Sequence, residues 1–99
     1  MEPEKYLPVS SGKIDQSITG TAAVLTASAY KTLAKKAILQ VQTAPIRYFV
    51  DGSTPTATSG LRADPGQFIT LFGEEVQYFK AIRETGTSGT VAGQYYSIA

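Results

Sequence analysis

The sequence predicts an all-β protein, an antiparallel β-sandwich or jelly roll with an extended N-terminal arm. Two observations lead there: about six to eight short stretches alternate apolar with polar residues, and turn signals separate them about every ten residues. No internal repeat is evident. The 99 residues read as one small domain, an arm over 1–13 followed by a body over 14–99. Size scaling buries about 64% of the unfolded chain's surface, a thin margin that makes association with other surfaces a natural way to hide more.

The arm holds Pro3, Pro8 and Ser10-Ser11-Gly12 among alternating charges, with Tyr6, Leu7 and Val9 as its apolar anchors. Ile14, Gln16 and Ile18 then alternate with polar neighbours, and Thr19-Gly20-Thr21 bends the chain before a strand over 22–26. Residues 36–43 place Ala37, Leu39 and Val41 on one face and Ile38, Gln40 and Gln42 on the other. Ala44-Pro45 interrupts, because proline donates no ladder hydrogen bond. Ile46, Tyr48 and Val50 form the next alternating set, with Arg47 pointing outward. Asp51-Gly52 is a turn, and Pro55 stiffens the small polar loop over 53–60.

After Asp64-Pro65-Gly66, residues 67–72 carry Phe68, Thr70 and Phe72 opposite Ile69 and Leu71. That pattern predicts a strand buried on both sides. Two stretches also fit helical spacing: Tyr30, Leu33, Ala34, Ala37 and Ile38, and the run from Gly73 to Tyr78. The last strand, over 90–98, alternates through Val91, Tyr95 and Ile98 after a Gly/Thr/Ser-rich turn. Tyr95-Tyr96 must put one ring on each face, one in the core and one free for an interface.

Composition narrows the chemistry. With no cysteine and no histidine, a disulfide framework, thiolate zinc, thiol catalysis and the commonest neutral-pH base are all excluded. The many hydroxyls have no histidine to activate them, and Ser28 beside Lys31 or Thr32 beside Lys36 reads as polar loop. Glu74-Glu75 would point to opposite faces of a strand, and Asp51 fits its own turn better than catalysis. No catalytic residue, metal ligand or cofactor is expected. A net charge of +1 provides no field for nucleic acid, and the lysines at 31, 35 and 36 adjoin no Gly-rich phosphate cradle. No apolar run reaches membrane-spanning length, and Met1-Glu2-Pro3-Glu4-Lys5 lacks a signal peptide's apolar stretch, so a soluble product of the cytoplasm is expected.

The most specific stretch is Gln40-Val41-Gln42-Thr43-Ala44-Pro45-Ile46-Arg47-Tyr48-Phe49-Val50-Asp51-Gly52, followed by Ser53-Thr54-Pro55-Thr56 and Gly60. Together with Asp64-Pro65-Gly66, the apolar strand over 67–72 and Phe79-Lys80-Ala81-Ile82-Arg83, it resembles small virion structural proteins of tailed bacteriophages and prophages. The resemblance spans residues 36–96, and the longer, Lys-rich connection over 28–35 departs from it. It implies a capsid decoration (cement) protein, assembled as a homotrimer, that binds the major capsid protein on the virion surface. Members of similar size also serve at the head–tail junction or in tails. On this reading the interface residues are Tyr6, Leu7 and Val9 on the arm, Arg47, the turn residues Asp51 and Gly52, Pro55, and Tyr96. A glycan- or receptor-binding sandwich is the rival from another class, and a small hydrolase comes last.

Overall fold

The computed structural model describes residues 6–25 and 34–98. In chain order the elements are β1 (Tyr6–Ile18), β2 (Ala23–Val24), β3 (Lys36–Gln42), β4 (Ile46–Phe49), β5 (Leu61–Ala63) and β6 (Phe68–Phe72), then a short helix α1 (Glu75–Tyr78), β7 (Lys80–Arg83) and β8 (Gly89–Ile98). Of the residues with helical spacing, Tyr30 and Leu33 lie outside the described residues, as do Ser28, Lys31 and Thr32, while Ala37 and Ile38 belong to β3.

The protein is all-β, with two four-stranded antiparallel sheets in the orders β1-β8-β3-β6 and β2-β7-β4-β5. The pairings have a simple logic. β1 pairs with β8, β2 with β7, β3 with β6, and β4 with β5. Half of the chain therefore runs back along the other half as one long hairpin whose tip is the 51–60 loop. The contacts β3–β8 and β4–β7 then join this hairpin to itself and close each sheet.

Alternation decides which residues face inward. In β3, Ala37, Leu39 and Val41 are buried while Ile38 and Gln40 are half-buried on the other face. Ile14 and Ile18 of β1, Ile69 and Leu71 of β6, and Val91 and Tyr95 of β8 join them. The second sheet adds Ile46, Ala63 and Ala81, and Leu25, Val76 and Phe79 complete the same apolar cluster. Burying a large apolar side chain stabilises by about 1.5–3 kcal/mol, so this single cluster is the main source of stability. The accessible surface, 5587 Å², matches the roughly 5,400 Å² expected from size alone.

The chain changes sheets after β3 through a tight turn. The Gln42 carbonyl accepts the Ala44 N–H at 2.9 Å around Thr43, whose φ is 75°. This is the strained three-residue γ-turn, and Pro45 then prevents β3 from continuing. α1, anticipated between Gly73 and Tyr78, is one turn long and buries Val76. β5 was not anticipated. Its three residues carry no clear alternation and become a strand by pairing with Ile46, Arg47 and Tyr48.

Two expectations change. β6 is buried on one side only, because its other side lies on the outer face of the sheet, where among the described residues only Tyr6 and Lys36 pack on Phe72: Phe68 and Phe72 are 67% and 49% exposed. The segment expected to form an arm over 1–13 is, from Tyr6 onward, the start of β1, and Tyr6, Leu7 and Pro8 pair with Ile98, Ser97 and Tyr96 of the same chain. The register shifts between Pro8 and Lys13, where proline has no N–H for the ladder.

β8 lies between β1 and β3, and at Gly93 the neighbouring chain comes too close for any side chain. A Cβ there would overlap the Ile38 carbonyl oxygen. Gly93→Ala is expected to lower unfolding stability by roughly 3–5 kcal/mol, since backbone rather than a flexible side chain must move. Urea denaturation of the parent and the variant checks this, and a loss below about 1 kcal/mol would refute so close an approach.

Candidate interface at the 51–60 loop

The loop joining β4 to β5 projects from the hairpin tip and is built to be stiff. Asp51 Oδ1 accepts the Ser53 N–H at 2.9 Å, closing a turn that Gly52 permits with φ 87°. The hydrogen bond from the Ser53 amide holds the Asp51 carboxyl below the usual aspartate range. Because the folded value is the lowered one, this contribution is present above the unfolded value and is lost as pH falls through the folded one. Further along, Thr56 and Ser59 exchange main-chain bonds of 2.9 and 3.2 Å, and Thr56 Oγ1 accepts the Thr58 N–H at 3.3 Å. Pro55 is buried beneath them.

The base of the loop is tied to the second sheet. Arg47 Nη1 donates to the Gly60 carbonyl at 3.1 Å, and Arg47 Nη2 lies 3.6 Å from Glu84. Glu84 also accepts from Arg62 Nε at 2.6 Å, and Arg62 reaches Asp64 at 2.6 Å. Bonding to Glu84 raises the Arg62 pKa further. Gly60 has φ 139°, and a Cβ there would crowd the Tyr48 nitrogen, Arg47 Cβ and Pro55 Cβ at 3.2–3.3 Å. On the other flank Lys80 Nζ donates to Thr54 Oγ1 at 3.3 Å. What remains exposed is a polar rim, Asp51 to Thr54 and Thr56 to Ser59, held over a buried proline. Such a rim offers hydroxyls and main-chain groups in fixed positions, which suits recognition by shape and hydrogen bonding.

The expected interface residues fall into two groups. Arg47, Asp51, Gly52 and Pro55 come together here, Asp51 and Gly52 at the surface, Arg47 and Pro55 as supports beneath it. Tyr6 and Tyr96 meet on the first sheet around Lys36, whose Nζ lies 4.9 Å from the Tyr6 ring, 5.8 Å from Tyr96 and 5.4 Å from Phe72. Tyr6 also meets Phe72 edge-on at 6.1 Å. Lys36, read from sequence as part of a basic cluster, is therefore packed among aromatic rings. Leu7 is exposed, whereas Val9 packs against the protein's own core.

In sequence Glu84 reads as a lone acid next to Arg83, and its pairing with Arg62 is not visible there. Glu84 and Arg62 are 22 residues apart, and only the β4–β5 and β4–β7 pairings bring them together. Among the described residues no group of His, Cys, Asp or Glu could hold a metal, and no helix is long and apolar enough to cross a membrane. No protein-family model, curated protein or solved structure matches the chain.

Arg47→Met keeps an unbranched stem but removes the guanidinium, releasing Gly60 and Glu84. It is expected to cost about 1–2 kcal/mol and to speed hydrogen exchange at the Thr56 and Ser59 amides. Unchanged exchange there would show that the loop holds itself without Arg47.

Proposed function

We propose that the chain is a non-enzymatic structural protein of a bacteriophage virion, a jelly-roll decoration protein that stabilises the head shell. The observation that carries the fold part of this reading is the strand order. In a jelly roll an eight-stranded antiparallel hairpin, its first and last strands already paired, is rolled so that the third strand meets the eighth and the fourth the seventh, the pattern of β1-β8-β3-β6 and β2-β7-β4-β5. The two sheets contribute to one apolar cluster, as a sandwich requires. Jelly rolls serve in viral capsids and lectins, among others. The choice of a virion rests on the motif resemblance over residues 36–96, whose Asp-Gly and Pro-Thr segment is the stiff loop at the hairpin tip.

Decoration needs a rigid body that recognises an assembled surface. A protein that binds only the assembled lattice stabilises it by RT ln(1 + [L]/Kd), about 2.7 kcal/mol at a hundredfold excess over Kd. The polar rim at 51–60 is the surface proposed to meet the major capsid protein, with Arg47 and Pro55 fixing its shape. The purified chain should bind saturably to expanded heads assembled from the major capsid protein of the phage or prophage that encodes it, and raise the temperature at which they disrupt. No association with heads, with the chain found instead in tail fractions, would contradict decoration and point to a tail component.

A further inference from the structure

We propose that β6 is a self-association edge, where a second copy of this chain adds its own β6 antiparallel about a two-fold axis. The inference stands apart from the head-binding reading and arises from a comparison of the four sheet edges, β1 and β6 in one sheet and β2 and β5 in the other. β1 carries Pro8, a register break before Lys13, and exposed Lys13 and Asp15. β2 has two residues. β5 has three, and Arg62 among them is bound to Asp64 and Glu84. Shortness, charge, proline and bulges are the devices that keep strand edges from pairing. β6, Phe68-Ile69-Thr70-Leu71-Phe72, has no charge, no proline and an unbroken register with β3. It also bears the most exposed large apolar residue among those described, Phe68 at 67%.

The main chain defines the register. Val41 N–H donates to the Gln67 carbonyl at 2.9 Å and Gly73 N–H to the Lys35 carbonyl at 2.8 Å. Odd-numbered residues of this segment thus direct their polar groups to β3, and Phe68, Thr70 and Phe72 direct theirs to the open side. Glu75 Oε1 occupies the Phe72 N–H at 2.9 Å, which leaves, without a partner among the described residues, the N–H and C=O groups of Phe68 and Thr70 and the Phe72 carbonyl. A two-fold axis at Ile69 satisfies those of Phe68 and Thr70 without disturbing Glu75. Phe68 then exchanges both main-chain bonds with the second copy's Thr70, and Thr70 with its Phe68. The two Phe68 rings become diagonal neighbours, within aromatic reach. An uncharged strand meets its own copy without repulsion, and its donor and acceptor pattern is self-complementary, which is why a second copy is the occupant.

Sedimentation of the full chain over a wide concentration range tests this. The expected result is a monomer–dimer equilibrium, distinct from the homotrimer that the resemblance implies. Thr70→Pro removes an outward N–H without costing a β3 bond, and Thr70→Lys adds an edge charge at an exposed position. Each should weaken dimerisation roughly tenfold or more, and on β6 only the Phe68 and Thr70 amides of the parent should gain hydrogen-exchange protection with concentration. Should Thr70→Pro lower the melting temperature, Thr70→Lys carries the comparison. A monomer at every concentration, a trimer, or a dimer that folded Thr70→Lys leaves unchanged would overturn the proposal.

Discussion

The insertion of β8 between β1 and β3 is the constraint on which the rest of the structure depends. It joins the last residues of the described chain to the first, and it closes the sheet that supplies Ile14, Leu39, Leu71, Val91 and Tyr95 to the core. Tyr95 shows what this demands. Its ring is fully buried, and its hydroxyl has no hydrogen-bond partner among the described residues, an arrangement that costs about 1–3 kcal/mol against the gain from burying the ring. Gly93, two residues earlier, permits the approach to Ile38 that keeps β8 and β3 in register. Strand pairing across so many residues of sequence separation forms only when the whole hairpin folds back, so stability is concentrated in long-range contacts.

The tip of that hairpin inherits its rigidity from the base. Arg47 sits on β4, Glu84 follows β7 and Arg62 lies on β5, so one ionic cluster records that three strands have assembled. The loop above it is consequently presented as a preformed surface, and a preformed surface loses little conformational entropy on binding. The first sheet presents a different face, with Lys36 enclosed by Tyr6, Tyr96 and Phe72 near one end and Phe68 open at the other end of β6. The polar rim at the tip and the apolar exposure on β6 are thus two separate surfaces of different chemistry.

Much of this was legible where the signal is local. The alternation of Ala37, Leu39 and Val41 marks the buried face of β3, Asp51-Gly52 and Pro55 mark the loop, and Tyr95-Tyr96 places one ring inward and one outward. The illegible parts are those fixed by strand order. Phe68, Thr70 and Phe72 have the composition of a doubly buried strand, and they are exposed because they lie on the face of the sheet opposite the apolar cluster that takes in Ile69 and Leu71. β5 is too short to show a period and exists because β4 lies beside it. The Glu84–Arg62 pair, likewise, depends on neighbours distant in sequence. The start of β1 was hidden by Pro8 and Ser10-Ser11-Gly12, which read as an arm although the chain around them pairs with β8.

Native-state hydrogen exchange, resolved by residue, tests the central place of β8 most directly. Amides of β8 and β3 that bond to one another should be the slowest to exchange and should open together, at the free energy of global unfolding. Exchange of β8 through a separate, lower-energy opening, with the second sheet still protected, would contradict the account.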